Sequence, residues 1–186
     1  EEVLGLIALM DIPSEHAKAT IEYFRKQGIH TTLITGDSEM TGKAVAKQLG
    51  IDEVIANVMP EDKSRIIDEQ KEKYGVTAMV GDGVNDAPAL VNADVGIAMG
   101  DGTDVAVEVS DLVLMQNNLS KLVQSHNISS KMNRVIWQNI IFSMAVVAFL
   151  IVVSFLGLTD IAISVIIHEG STLVVILNGL RLLRAV

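Results

Sequence analysis

Val76-Thr77-Ala78-Met79-Val80-Gly81-Asp82-Gly83-Val84-Asn85-Asp86-Ala87-Pro88 is the stretch whose reading decides the fold. Val76–Gly81 is a short apolar run that ends in turn residues, the pattern of a strand inside a sheet. A turn follows, and then a short helix near Asp86–Val91. Two glycines, an asparagine and two carboxylates within one turn after a strand are costly as mere structure. In open parallel sheets, chemistry gathers at the carboxyl ends of the strands.

Outward from this stretch, strands and helices alternate. Val3–Met10 reads as a strand, and Ser14 caps a helix through Gln27 that Gly28 ends. Ile29–Thr35 is the next strand, and Glu39–Leu49 a helix stopped by Gly50. Glu53–Ala56 is a short strand, and Pro60 opens a helix running through Tyr74. Asp94–Ala98 and Asp111–Met115 are the last strands. Repeated β-α-β units of this kind predict an α/β fold, a Rossmann-like parallel sheet with flanking helices.

Residues beyond 138 differ in kind. Ile140–Leu158 holds no charge over 19 residues, and the 20 residues of Ile161–Leu180 hold only His168 and Glu169 as ionisable groups. About 20 apolar residues cross the roughly 30 Å core of a bilayer. The expectation is a two-helix transmembrane hairpin turning at Gly157–Asp160; the alternative is a pair of buried core helices. Lys131, Arg134, Arg181 and Arg184 flank the hairpin, and its turn has no basic residue. The positive-inside bias then places residues 1–134 and the C-terminus in the cytoplasm.

The chain has 186 residues and a formal charge of −9. Asp160, Glu169, Arg181 and Arg184 are the only charged side chains beyond residue 134, so the acidity belongs to the front of the chain. An acidic domain without a basic stripe argues against nucleic-acid binding. Apolar residues make up 49% of the chain, which excludes disorder. Cysteine is absent, so neither a disulfide nor a thiolate metal site exists here. The eight methionines read as core and lipid-facing filler, and His16, His30 and His126 as surface residues. Glu1-Glu2-Val3-Leu4 has neither an initiator Met nor a signal-peptide pattern, and the expectation is a piece of a longer chain.

Three strand-end features carry candidate chemistry: Thr35-Gly36-Asp37, Lys63, and Gly81–Pro88. Glycine lets the backbone turn sharply and approach a ligand. Asp82 and Asp86, paired on such a turn, can hold Mg²⁺, a hard cation that takes oxygen ligands. A hydroxyl, backbone amides and a lysine ammonium can then stabilise a phosphoryl group. Taken alone, Thr35-Gly36-Asp37 is an ordinary strand-to-helix turn and Lys63 a solvated helix lysine. A nucleophile is the part not found. In the tail, His168 and Thr172 at i, i+4 and Glu169 and Thr172 at i, i+3 fall on one side of a helix. An imidazole, a carboxylate and a hydroxyl suit a divalent transition metal. A polar clamp between helices and a proton relay remain open.

The sequence resembles the P-type ATPases, ion pumps of the haloacid-dehalogenase superfamily. The resemblance rests on Thr35-Gly36-Asp37, Pro60-Glu61-Asp62-Lys63, Gly81–Leu90 and Gly96-Ile97-Ala98-Met99-Gly100. His168-Glu169-Gly170-Ser171-Thr172 is similar to the signature of the heavy-metal branch linked to cobalt, iron(II) and zinc export. The resemblance implies an ATP-driven metal export pump working through an aspartyl phosphate, with Mg²⁺ and ATP as cofactors. It implies that the phosphorylated aspartate, the nucleotide-binding and actuator domains and the earlier membrane helices lie outside this sequence. It divides the chain into the second half of a phosphorylation domain (1–118), a stalk (119–138) and the last two membrane helices (139–186). Asp82 would ligate Mg²⁺, and Gly83, Asn85 and Asp86 would shape the Mg²⁺ and phosphoryl site. Thr35 and Gly36 would bind phosphoryl oxygens, Lys63 would neutralise their charge, and Asp37 would shape the loop. His168, Glu169 and Thr172 would help form the transport site. The competing expectations are a membrane-tethered phosphatase of the same superfamily and a non-catalytic Mg²⁺-binding regulatory chain.

Overall fold

The computed structural model describes residues 13–100, 102–115 and 118–184, so the expected strand Val3–Met10 lies outside the described residues. The chain forms two compact units that divide between Val123 and Gln124. The first contains α1 (Glu15–Lys26), β1 (Thr32–Ile34), α2 (Glu39–Leu49), β2 (Glu53–Ile55), α3 (Lys63–Tyr74), β3 (Ala78–Gly81), α4 (Ala87–Asn92), β4 (Val95–Met99), α5 (Asp104–Val109) and β5 (Leu112–Leu114). All strand pairs are parallel. β1 pairs with β2, Leu33 opposite Val54, and β3-β4-β5 form a separate sheet with Val80 opposite Ile97 and Ala98 opposite Val113. A helix joins each parallel pair, as parallel pairing requires.

Local chemistry sets the ends of these elements. Ser38 caps α2 by accepting from the Thr41 amide, and Gly50 stops it in the left-handed conformation, φ 77°. Ser14 precedes α1 as expected, but its side chain makes no capping bond. β1 is shorter than the expected Ile29–Thr35. The Ile29 amide still bonds back to Phe24, and the Thr31 amide is taken by the Asp52 carboxylate at 3.1 Å. β3 starts at Ala78, not Val76, because the Thr77 amide donates to Asp94 at 2.9 Å. The Pro60 helix opens as a 3₁₀ turn, Pro60–Asp62, and becomes α-helical at Lys63. α5 was not anticipated: its β-branched Val-Ala-Val-Glu-Val run resembles a strand, and Thr103 converts it to a helix by capping the Ala106 amide.

One core cluster of this unit is Leu90, Ala98 and Ala106, with Met79, Val107, Val109 and Val113 packed against it, and Ile66 and Ile67 of α3 are buried as well. Small residues on β4 let the helices sit close. A Cβ on Gly96 would lie 2.6 Å from the Leu90 carbonyl oxygen, so only glycine allows α4 to rest on the strand there.

The expected stalk and first span are one unbroken helix, α6 (Ser120–Phe155, 36 residues), about 54 Å long at 1.5 Å per residue, whose first turn contains the unit boundary. α7 (Ile161–Leu180) follows the turn, capped by Asp160, whose carboxylate accepts from the Ile163 amide. Both helices are long and apolar enough to cross a membrane, with mean hydropathies of 2.3 and 1.8 in their most apolar windows. Those windows are not buried inside the protein, which a soluble core helix would be. At the end far from the turn, the Asn178 amide donates to Asn139 at 2.9 Å and to Gln138 at 3.4 Å, and Arg181 donates to Asn178.

Candidate functional site

The first site lies at the carboxyl end of β3. The strand stops at Gly81, and a 3₁₀ turn over Val84–Asp86 feeds α4. This turn aims the Asp86 side chain back beneath the strand end, where Asp86 is buried. Gly81 permits it, since a Cβ there would meet the Asp86 Cβ at 2.7 Å. Asp86 Oδ1 accepts from Lys63 Nζ at 2.6 Å, and Oδ2 faces the amides of Asp82 and Gly83 at 3.4 Å each. Lys63 reaches this position because the Pro60–Asp62 turn packs beside the Val84–Asp86 turn. The pair is largely shielded, at 18% and 11% side-chain exposure. Asp82 is exposed, and no described residue bonds its carboxylate. Asn85 is exposed as well.

The second feature, Thr35-Gly36-Asp37, follows β1. The Thr35 hydroxyl accepts from the Asp37 amide and donates to the Asp37 carboxylate, both at 3.1 Å. Asp37 thus shapes the loop directly. The loop is fastened to the end of β2: the Val58 amide donates to the Thr35 carbonyl and the Asn57 amide to that of Asp37. Two residues beyond Val58 the Pro60 turn begins, so short backbone links join Thr35 to Lys63. The sequence reading missed two supports. The Thr103 amide donates to the Asp82 carbonyl at 3.2 Å, and Gly102 packs against that same carbonyl, where a Cβ would come within 2.9 Å. The signal was present in the sequence as two closely spaced glycines, Gly100 and Gly102, just after a strand.

A third group lies in the second unit. A cleft of about 800 Å³ between α6 and α7 is lined by His168 and Glu169, with Asp160, Ser164 and Ser154 among its other polar walls. Thr172 is not in its lining. The Thr172 hydroxyl turns back to the His168 carbonyl at 3.4 Å, and Ser171, which is buried, donates to the same carbonyl at 2.6 Å. Among the described residues, no three His, Cys, Asp or Glu side chains gather into a metal-holding group. His168 and Glu169 are thus two potential metal ligands, with no third His, Cys, Asp or Glu gathered beside them among the described residues.

The model of the haloacid dehalogenase-like hydrolases matches residues 1–94. The chain belongs to that family. It is also similar over nearly its whole length to heavy-metal P-type ATPases. It is 52% identical to the zinc-transporting ATPase of Bacillus subtilis (strain 168), over 99% of this chain and 29% of that protein. It is 42% identical to a probable cadmium-transporting ATPase of Alkalihalophilus pseudofirmus, over 99% of this chain and 26% of the relative. The crystal structure of a zinc-transporting PIB-type ATPase in the E2.Pi state superposes with a TM-score of 0.91 at 39% identity, covering 97% of this chain and 30% of that one. The chain thus spans less than a third of the length of each of these three proteins.

Proposed function

We propose that this chain is part of an ATP-driven pump that exports a divalent transition metal through an aspartyl-phosphate intermediate. The observation that carries the reading is the shielded Lys63–Asp86 pair beside an unpaired Asp82 carboxylate at the end of β3. One acid is neutralised and held, and the other is left for a cation.

The residues fit Mg²⁺. Asp82 offers hard oxygen donors on a glycine turn, and its carboxylate is not committed to any described neighbour. When bound, Mg²⁺ supplies positive charge to the oxygens of a transferring phosphoryl group. Asp86 holds Lys63 in place, and the ammonium adds a second positive charge at the same strand end. The Gly36 amide is a neutral donor for phosphoryl oxygens, and the Thr35 hydroxyl joins it once its proton turns from the Asp37 carboxylate to the ligand. Such positioned donors are the protein's main contribution to phosphoryl transfer. In this reading the phosphorylated aspartate and the nucleotide site lie in segments outside this sequence.

The transported metal is the substrate. His168 and Glu169 in the cleft are its protein ligands in part, with Thr172 nearby on the same helix. Ionisable groups inside a span are costly to insert and mark ion pathways. Residues 1–118 serve as phosphorylation domain, 119–138 as stalk and 139–186 as membrane hairpin, with the first unit on the cytoplasmic side. The test is ATP hydrolysis by the intact pump against Zn²⁺, Cd²⁺, Co²⁺ and Fe²⁺. Stimulation that His168→Ala abolishes while phosphorylation from inorganic phosphate persists is the expected result. Metal-independent hydrolysis of small phosphate esters would favour the tethered-phosphatase reading instead.

A further inference from the structure

Asp82 carries the proposed cation ligand, yet its carboxylate is exposed and bonds no described residue. The aim of that carboxylate is therefore set by the backbone beneath it. β3 ends at Gly81, so the strand ladder no longer holds Asp82. Its amide donates to Asp86 Oδ2 at a long 3.4 Å. The firmer anchor is its carbonyl, which is gripped by the segment that leads from β4 into α5.

Two residues make the grip. The Thr103 amide donates to the Asp82 carbonyl at 3.2 Å. Gly102 lies against the same group: a Cβ there would come within 2.9 Å of the Asp82 carbonyl oxygen and 2.7 Å of that of Met99. Both are backbone atoms, so neither can swing aside as a flexible side chain would. The grip is itself rooted in the core. The Gly102 amide donates to the carbonyl of Met99, the last residue of β4, at 2.8 Å. The Thr103 hydroxyl caps the Ala106 amide, and the Thr103 carbonyl accepts from the Val107 amide at 3.0 Å. Ala106 is fully buried against Leu90 and Ala98. Asp86 is secured by other means, its burial and the Lys63 ammonium, so the two acids of this turn have separate supports.

We propose that Gly102 and Thr103 are positioning residues for the cation site: they fix the Asp82 carbonyl, and through it the direction of the carboxylate that takes Mg²⁺. This rests on the reading of Asp82 as the cation ligand given above. A ligand is only as well placed as the backbone it hangs from, and removing a group that supports a metal ligand weakens metal binding about 10–100-fold.

The test uses the intact pump with inorganic phosphate present and Mn²⁺ as the probe, its binding read from the loss of the free ion's electron paramagnetic resonance signal. The part of that binding which Asp82→Asn removes defines the site. Thr103→Ala loses the helix cap but keeps the amide, and it sets the baseline. Thr103→Pro loses cap and amide together, at a φ of −67° that proline adopts without strain. It is expected to bind Mn²⁺ about tenfold more weakly than Thr103→Ala. Gly102→Ala is expected to weaken binding by a similar factor relative to the parent, and it carries the test if Thr103→Pro does not accumulate. One measurement needs no variant. Coupling between two sites is reciprocal, so Mg²⁺ with inorganic phosphate should slow hydrogen exchange of the Thr103 amide in the unmodified pump by about the same factor. Equal Mn²⁺ affinity of Thr103→Pro and Thr103→Ala overturns the proposal, as does parental affinity in Gly102→Ala or a Thr103 amide indifferent to Mg²⁺. If Asp82→Asn leaves all Mn²⁺ binding intact, the cation-site reading fails and the positioning role falls with it. ATP hydrolysis indifferent to transported metals would sink the pump reading alone, since the Mn²⁺ constants decide the positioning role either way.

Discussion

Lys63 Nζ stands 2.6 Å from Asp86 Oδ1, joining the first residue of α3 to the turn that opens α4. The pair is separated by 23 residues and locks two strand-end segments together. Its shielding decides its energetics. An exposed ion pair contributes little, but removing one partner of a buried pair leaves an uncompensated charge. Lys63→Met is therefore expected to destabilise the first unit by about 3 kcal/mol. Lys63→Met with Asp86→Leu together should recover most of that loss, while activity stays absent in both. Denaturant unfolding of the two variants checks this. A single variant as stable as the parent would mean that the pair is solvated.

Asp82 makes the opposite case. Its carboxylate is exposed and bonds no described residue, so Asp82→Asn has nothing in the fold to break. The expected outcome is an unchanged unfolding midpoint together with loss of phosphoenzyme formation in the intact pump by about a hundredfold or more, the order of loss for removing a charged group at the reacting centre. Phosphoenzyme at parental levels would remove Asp82 from the cation site.

Gly81→Ala tests the geometry that connects these acids. The added methyl would sit 2.7 Å from the Asp86 Cβ, a contact that real structures do not tolerate. Asp86 must move, and the Lys63 bond with it. Overpacking of this kind costs about 1–3 kcal/mol. The variant should thus lose both stability and phosphorylation, unlike Asp82→Asn, which should lose only phosphorylation. Equal behaviour of the two in unfolding experiments would contradict the close packing of strand end and turn.

The order of strands and helices was legible because hydrophobic runs and stop signals coincide. Gly50 ends α2 where expected, and Asp160 opens α7. The strands were overestimated wherever side chains compete for backbone amides. Asp52 takes the Thr31 amide and Asp94 that of Thr77, and neither capture has a local sequence mark. The glycine-acid string placed the candidate site at the end of β3, but not the division of labour within it. Asp82 and Asp86 look alike as letters. Only the packing of the Pro60 turn against the Val84 turn pairs Asp86 with Lys63 and leaves Asp82 outside. In the tail, helical spacing put Thr172 beside His168, yet its hydroxyl turns to a backbone carbonyl, a common alternative for Thr within a helix.

Asp52 gives a pH prediction. Its carboxyl is held below the usual carboxylate range, chiefly by the bond from the Thr31 hydroxyl; partial burial opposes this, and the Thr31 amide, Arg25 and His30 add to it. A folded-state pKa lower than the unfolded one means that the contribution is fully present above the unfolded value of about 3.9 and is lost as pH falls through the depressed folded value. At neutral pH, Asp52→Asn should lower hydrogen-exchange protection of the Thr31 amide. As pH falls below the unfolded value of about 3.9 and through the depressed folded one, protection in the parent should drop towards that of the variant. A gap between them that stays constant with pH would show that the charge of Asp52 is irrelevant to fastening β1 to β2.

Asn178 offers a last test, inside the hairpin. Its amide donates to Asn139 across the helix pair, and its carbonyl accepts from Arg181. Interhelical hydrogen bonds in membranes average about 0.6 kcal/mol and reach about 2 kcal/mol, because the separated helices find other partners. A double-mutant cycle with Asn139→Leu and Asn178→Leu, read by unfolding in mixed micelles, should give a coupling in that range. Coupling near zero would mean that α6 and α7 are held at this end by apolar contact alone.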